Sequence, residues 1–260
     1  MRILVTGTAG FVGQAAVEVL GRDHWQRDVD IRPGPAPPSG ETMLGDLASY
    51  AFAAAAVEGI EAIVHLAIAG QPSDYESTEI PMKGTVVATA NLLEAARRAG
   101  IQRFVLMSSG AVVTGYSRDT YIHVGLPHNF RGLYCLTKSL QEILAKQYAE
   151  EYGMTIPALR PWSVVDGRTY HHKNGQPLRA SEEGFFGLVC RYDLAEACRL
   201  ALTAPLEGFQ PCHVMATAAG RRWFDVERTE KLLGWHPARD FADLAPPESA
   251  TSDDRIGREA

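Results

Sequence analysis

The sequence predicts an α/β fold: a doubly wound parallel sheet followed by a small C-terminal lobe. Three observations predict it. Short apolar runs alternate with helical patterns from residue 1 to about 160, as repeated β-α units do. The first run, Ile3-Leu4-Val5, leads through a glycine-spaced turn into a helical pattern, Ala15 to Leu20. The strand from Ala62 to Ala67 is almost continuously apolar, as strands buried on both faces of a parallel sheet are.

The turn Thr6-Gly7-Thr8-Ala9-Gly10-Phe11-Val12-Gly13 spaces its glycines G-x-x-G-x-x-G. Small residues let the backbone approach a pyrophosphate, and a helix N-terminus presents free N–H groups with a partial positive charge. Gly7, Ala9, Gly10, Phe11, Val12 and Gly13 are therefore candidate cofactor contacts. Asp30 closes the second strand, where a carboxylate accepts from both adenosine-ribose hydroxyls and repels a 2′-phosphate. That favours NAD, while Arg32, able to accommodate the phosphate, leaves NADP open. The second strand (Trp25, Gln26, Arg27, Asp28) is polar and reads as short or at an edge.

Arg32 to Gly40 is a Pro- and Gly-rich loop,. Gly45-Asp46-Leu47 reads as a short strand whose Asp46 can face the adenine, with Leu47 beside it. Ala51 to Gly59 reads as a helix, Gln71 to Glu79 as a polar loop and Thr85 to Ala99 as a helix closed by Gly100. His65 reads as a core or near-cofactor histidine. Arg103 to Met107 is a strand ending in Ser108-Ser109-Gly110, and Thr155 to Leu159 is another, ending at Arg160-Pro161. Ligands bind beyond the carboxyl ends of such strands. The glycine turn, Asp30, Asp46, Leu66-Ala67 and Ser108 to Gly110 all fall there.

Between these last two strands lies a helix running from Gly132 to about Tyr148. Tyr134 and Lys138, four apart, share one of its faces. Free tyrosine titrates at roughly 10. A fixed positive charge beside it stabilises the phenolate and brings it into working range.

Beyond Pro161 the periodicity weakens. Trp162 to Gly184 reads as a loop whose adjacent His171 and His172 are solvated rather than metal ligands,. Asp193 to Leu202 is a helix, Cys212 to Ala216 a strand, and Asp225 to Leu233 a helix closed by Gly234. The expected organisation is a dinucleotide-binding domain over 1–160, with 188–204 packing back on it. Segments 161–187 and 205–245 form a small substrate-binding lobe, and 246–260 a disordered tail.

A chain of 260 residues is long enough for one substantial core,. Its net charge of −6, without a basic block, argues against a nucleic-acid or membrane partner,. The four cysteines show no C-x-x-C spacing and read as free thiols of a reducing compartment,. No signal peptide is evident, and the apolar run Ala51 to Val57 is too short to span a bilayer,. The expected location is the cytoplasm.

Assembled, these residues resemble the extended-type short-chain dehydrogenase/reductases, the NAD-dependent epimerase/dehydratase family with its Rossmann fold. The resemblance runs from residue 1 to about 243. It rests on the T-G-x-x-G-x-x-G turn, Gly45-Asp46-Leu47, His65-Leu66-Ala67, Asn91-Leu92-Leu93-Glu94-Ala95-Ala96, Ser108-Ser109, Tyr134/Lys138, Leu159-Arg160-Pro161 and Leu233-Gly234-Trp235-His236-Pro237. It implies that Tyr134 is the acid/base and that Lys138 binds the nicotinamide ribose and lowers the tyrosine pKa. It implies too that Ser109 donates a hydrogen bond to the substrate oxygen. A homodimer is implied as well.

Three places depart from the family pattern. Counting back from Gly115 puts Gly110 at the catalytic serine position. Counting from the paired serines puts Ser109 there, which the hydroxyl favours. Pro81 replaces an Asn three residues before Gly84-Thr85, disturbing a helix start. Trp162 stands where an Asn commonly follows L-R-P. The shortness of the second lobe resembles the compact uronate dehydrogenases. The expected function is an NAD(P)-dependent oxidoreductase moving a hydride between nicotinamide and a carbinol or carbonyl carbon of a small sugar-like substrate. The alternatives are a sugar or nucleotide-sugar epimerase/dehydratase with retained NAD, and a non-catalytic dinucleotide-binding regulator. Candidate substrate contacts are Ser73, Ser109, Gly110, Tyr134, His128, Asn129 and Arg168, with Arg191 a further one.

Overall fold

The computed structural model describes residues 1–70, 72–117, 119–179 and 187–244. The expected tail, 246–260, lies outside them. Period-two alternation in the strands builds two cores, one on each face of the sheet. Ile3 and Val5 of β1 (Arg2–Thr6) point to one, Leu4 to the other. In β4 (Ala62–His65) Val64 and Ile63 divide the same way, as do Val105 and Phe104 in β5 (Arg103–Met107). With β2 (Trp25–Asp30), β3 (Gly40–Leu44), β6 (Ile156–Pro161) and β9 (Phe209–Val214), they form a seven-stranded sheet in the order β3-β2-β1-β4-β5-β6-β9. Each pairing is parallel.

Helices cover both faces. The alanines and leucines of α1 (Phe11–Leu20) and α5 (Arg191–Thr203) fill one core. Those of α2 (Tyr50–Ala56), α3 (Ala88–Arg98) and α4 (Leu133–Tyr152) fill the other. The short strands β7 (Ser163–Val165) and β8 (Leu188–Cys190) pair beside the main sheet. Two helices follow β9: α6 (Ala218–Trp223) and α7 (Val226–Leu233), the latter capped by the Asp225 side chain and closed by a left-handed Gly234.

The short strand expected at Gly45-Asp46-Leu47 runs Gly40–Leu44 instead, and the stretch expected as a loop from Trp162 holds the strand Ser163–Val165. Three larger expectations change. The polar second strand is not at an edge: β2 lies between β1 and β3. Its Gln26 amide donates to the Val17 carbonyl, and burial pushes the Asp28 carboxyl up to about 7, so the acid can enter the sheet uncharged. Second, β9, expected within the second lobe, pairs with β6 along six residues and completes the main sheet. Third, Pro81 does not delay the helix to Thr85. Glu79–Pro81 forms a helical turn, and a π-helical stretch, Met82–Val87, leads into α3. Such π stretches turn side chains out of register, and here Thr85 and Thr89 are both buried.

Candidate active site

The order of the sheet reverses between β1 and β4, so a crevice opens beyond their carboxyl ends,. The glycine turn sits there. Gly7 has φ +76°, and a Cβ on it would lie 2.7 Å from the Ala67 nitrogen. A Cβ on Gly13 would lie 2.0 Å from the Gly7 carbonyl oxygen. Glycine is thus required twice, once for the conformation and once for the packing of α1 on the turn. Gly10 caps α1 without a side chain, leaving first-turn amides to a ligand. Asp30 Oδ2 accepts from the Ala9 N–H at 2.9 Å, and Oδ1 from the Arg32 N–H at 3.2 Å. The Thr6 hydroxyl accepts from the Leu66 and Ala67 N–H groups, both at 3.2 Å, joining the ends of β1 and β4. Asp46 Oδ1 accepts from the Ala48 N–H at 2.8 Å. Asn91 clamps that turn, donating to the Leu47 and Ala48 carbonyls at 3.0 and 2.9 Å.

At the end of β5, Ser109, Ala111, Thr114, Tyr134, Trp162 and Lys173 line a cavity of about 350 Å³. The Ala111 N–H donates to Ser109 Oγ at 3.1 Å, which leaves the serine proton for another acceptor. Burial pushes the Tyr134 phenol above its ordinary value, and the hydrogen bond with Ser109 draws it back. Tyr75 packs edge-on against Tyr134 at 5.5 Å and donates to the Ala69 carbonyl at 2.8 Å. Gly110 is wedged against Trp162, where a Cβ would lie 2.6 Å from the indole.

Lys138 departs from expectation in one respect. Its ammonium does not act on the phenol. It runs inward, donating to the Met107 carbonyl at 2.7 Å and Gln141 Oε1 at 3.0 Å. Burial pushes it down to about 7, with Glu142 opposing. A carboxylate therefore shares the lysine's surroundings.

Glu142 is the centre of a buried ionic cluster below the cavity. Arg160 grips it with two bonds, Nε to Oε1 at 2.8 Å and Nη2 to Oε2 at 2.6 Å. The Ser108 hydroxyl donates to Oε1, and His128 Nε2 lies 2.9 Å from Oε2. Burial alone would raise the carboxyl, but these bonds hold it at about 2.

His128 and Asn129, expected at the substrate, are engaged elsewhere. His128 bridges Glu142 and the Ser139 hydroxyl, the latter at 2.6 Å. Asn129 pins the turn after Gly110 through Gly115 N–H to Asn129 O at 2.7 Å and Asn129 N–H to Val112 O at 2.9 Å. Arg168 lies apart, bonded twice to Glu18 and stacked 3.3 Å over Tyr192. Ser73 is exposed on the turn Pro72–Tyr75. Arg191 reaches the glycine turn instead: it pairs with Asp166 at 2.7 Å, donates to the Phe11 carbonyl at 3.3 Å and covers the Phe11 ring at 4.8 Å. The cavity residues missed from sequence are Ala111, Thr114, Trp162 and Lys173, together with Tyr75 behind Tyr134. Trp162 alone carried a signal, by standing directly after Arg160-Pro161.

The family model described as NAD dependent epimerase/dehydratase matches residues 3–179. The chain belongs to that family. NAD is the family's cofactor, and the Gly7–Gly13 cradle with Asp30 fits it. A 3 beta-hydroxysteroid dehydrogenase/Delta 5-->4-isomerase of Mycobacterium tuberculosis is 40% identical over 175 residues, 63% of this chain and 47% of that protein. The chain thus spans about half the length of this curated relative. The crystal structure of a uronate dehydrogenase from Agrobacterium tumefaciens superposes with a TM-score of 0.79 at 27% identity, covering 98% of this chain and 91% of that one. A mutant of that enzyme, complexed with NAD, superposes with a TM-score of 0.76 at 26% identity, covering 98% and 92%. Among the described residues no helix of this family member is long and apolar enough to cross a membrane.

Proposed function

We propose that the protein is an NAD-dependent dehydrogenase of a small, sugar-like secondary alcohol. The observation that carries this reading is the meeting of Tyr134 and Ser109 in one cavity at the carboxyl end of β5. Tyr134 exchanges a proton with the substrate oxygen, and Ser109 donates a hydrogen bond to the same oxygen. Lys138, one helical turn on, holds the nicotinamide ribose. The bound nicotinamide exchanges a hydride with the carbinol carbon.

The substrate class rests on three supports. The cavity volume, about 350 Å³, is at the small end for ligand sites. Its lining mixes hydroxyls, one indole face and the Lys173 ammonium, which suits a compact polyhydroxylated ring bearing a negative charge. A neighbour covering nearly the whole chain is a uronate dehydrogenase. Incubating the purified protein with NAD and a panel of uronic acids, aldoses and sterol alcohols should generate NADH with the uronic acids. NADH from sterols alone would overturn the sugar-like assignment. Silence with every alcohol, together with stoichiometric NAD released on denaturation, would favour a hydride returned in place, as in an epimerase or dehydratase.

The same reading includes a homodimer. Leu136 and Ile143, seven apart on α4, are 38% and 54% exposed, and Ile80 and Val87 on the preceding helical run are 52% and 44% exposed. Residues seven apart on an α-helix share one face, so Leu136 and Ile143 form an exposed apolar stripe that suits helix packing between copies. Ile143→Glu should convert a dimer into monomers by light scattering; an unchanged mass would remove α4 from the interface.

A further inference from the structure

The dehydrogenase reading needs a charged Lys138, and burial makes that charge marginal near neutral pH. What holds it is set by a chain of buried side chains from four elements, α4, α3, β4 and β1. Gln141 Oε1 accepts from Lys138 Nζ at 3.0 Å, and Gln141 Nε2 donates to Thr89 Oγ1 at 2.7 Å. Thr89 gives its single hydroxyl proton to the Thr85 carbonyl at 2.6 Å. Thr89 Oγ1 can then only accept from its other neighbour, His65 Nε2, at 2.9 Å. His65 Nδ1, left without a proton, accepts from the Thr6 hydroxyl at 2.7 Å. Burial pushes His65 down to about 3, so the imidazole is neutral and donates through one nitrogen alone. Every proton in the chain is thereby assigned. The amide of Gln141 is fixed with its oxygen toward the lysine, since a flipped amide would set two N–H donors against an ammonium and leave Thr89 facing a carbonyl.

We infer that Gln141 is the positioning residue of Lys138. Its amide, oriented by Thr89 and His65, holds an acceptor against the ammonium and keeps it charged where it is anchored to the Met107 carbonyl. This rests on the ribose-binding role of Lys138 proposed above. The groups facing Lys138 are His65 from β4, Glu142 on its own helix, and Arg160 of β6 by way of Glu142. β5 offers the Met107 carbonyl, and the segment leading into α3 offers Thr85 and Thr89. Among the described residues, Glu142 favours the charge through space, and Gln141 Oε1 offers the ammonium a hydrogen-bond acceptor. Glu142 is already gripped by Arg160, so Gln141 tips the balance.

The test is NADH titration by fluorescence from about pH 6 to about pH 10 on wild type, Gln141→Met, Gln141→Glu and Lys138→Met. In wild type, affinity falls as pH rises through the lysine titration. Gln141→Met, which removes the acceptor, moves that fall about one pH unit lower and weakens binding about tenfold between the two midpoints. Gln141→Glu keeps an acceptor and adds a negative charge, and moves the fall upward. A merely structural role would lower affinity equally at every pH. Coincident profiles, or displacement of both variants in one direction, overturn the proposal. Should Gln141→Met fail to fold, the upward displacement in Gln141→Glu still decides. Lys138→Met separates the two readings. If it binds like wild type at every pH, the role of Lys138 falls and the proposal with it. If it binds weakly while the Gln141 variants trace the wild-type curve, the role of Gln141 alone falls.

Discussion

Tyr134→Phe should lower kcat by about two to four orders of magnitude, the usual worth of a positioned general acid or base, while NADH binding persists. The substitution removes one oxygen and keeps the ring. The edge-on contact with Tyr75 at 5.5 Å is therefore retained, and Ser109 keeps its bond from the Ala111 N–H. What disappears is the proton carrier of the cavity. Because burial pushes the phenol up in the cofactor-free protein, the phenolate gains population only as pH rises. With NAD kept saturating, which offsets the weaker binding above the lysine titration, alcohol oxidation by the wild type should climb toward alkaline pH, and the residual rate of Tyr134→Phe should lose that dependence. Steady-state rates against pH, on whichever alcohol yields NADH, make the measurement. A variant turning over at close to the wild-type rate would remove Tyr134 from the chemistry.

What could be read ahead of the structure follows sequence distance. The glycine turn was legible because its demands are local: φ at Gly7 and the approach of Gly13 to the Gly7 carbonyl concern residues six apart,. The place of Asp30 was legible because it ends the next strand. The position of β2 was misjudged because its polarity was taken as exposure; burial raising the Asp28 carboxyl, and the bond from Gln26 to Val17, let polar side chains sit inside. β9 was misplaced because six partly polar residues carry no record of their partner strand. The ion pair and hydrogen bonds around Lys138 and Glu142 were invisible for the same reason: Gln141 and Thr89 are 52 residues apart, and Ser108 and Glu142 are 34 apart. A substrate contact could be guessed at His128, but not that Ser139 and Glu142 would take both its ring nitrogens.

That ionic cluster makes the second large effect. Glu142→Ala should destabilise the protein by about 3–5 kcal/mol, the cost of leaving a buried charge without its partner. Arg160 is 2% exposed and its Nη1 already lacks a partner, so no solvent replaces the lost carboxylate. Ser108 and His128 lose their acceptor too, which loosens the strand end that carries Ser109. The sign with pH follows from a folded carboxyl held at about 2 against an ordinary 4.5. Its contribution is fully present above about 4.5 and is lost as pH falls toward 2. Wild type should therefore unfold more readily than at neutrality in that acid window, while Glu142→Ala should lose this part of the dependence. Glu142→Leu with Arg160→Met removes both charges and should recover most of the stability, since an apolar pair of similar volume is often neutral. Denaturant midpoints of the two single variants and the double close the cycle. If the double variant is as unstable as the sum of the singles, the pair is not coupled. The loss would then belong to the packing beneath Ser108.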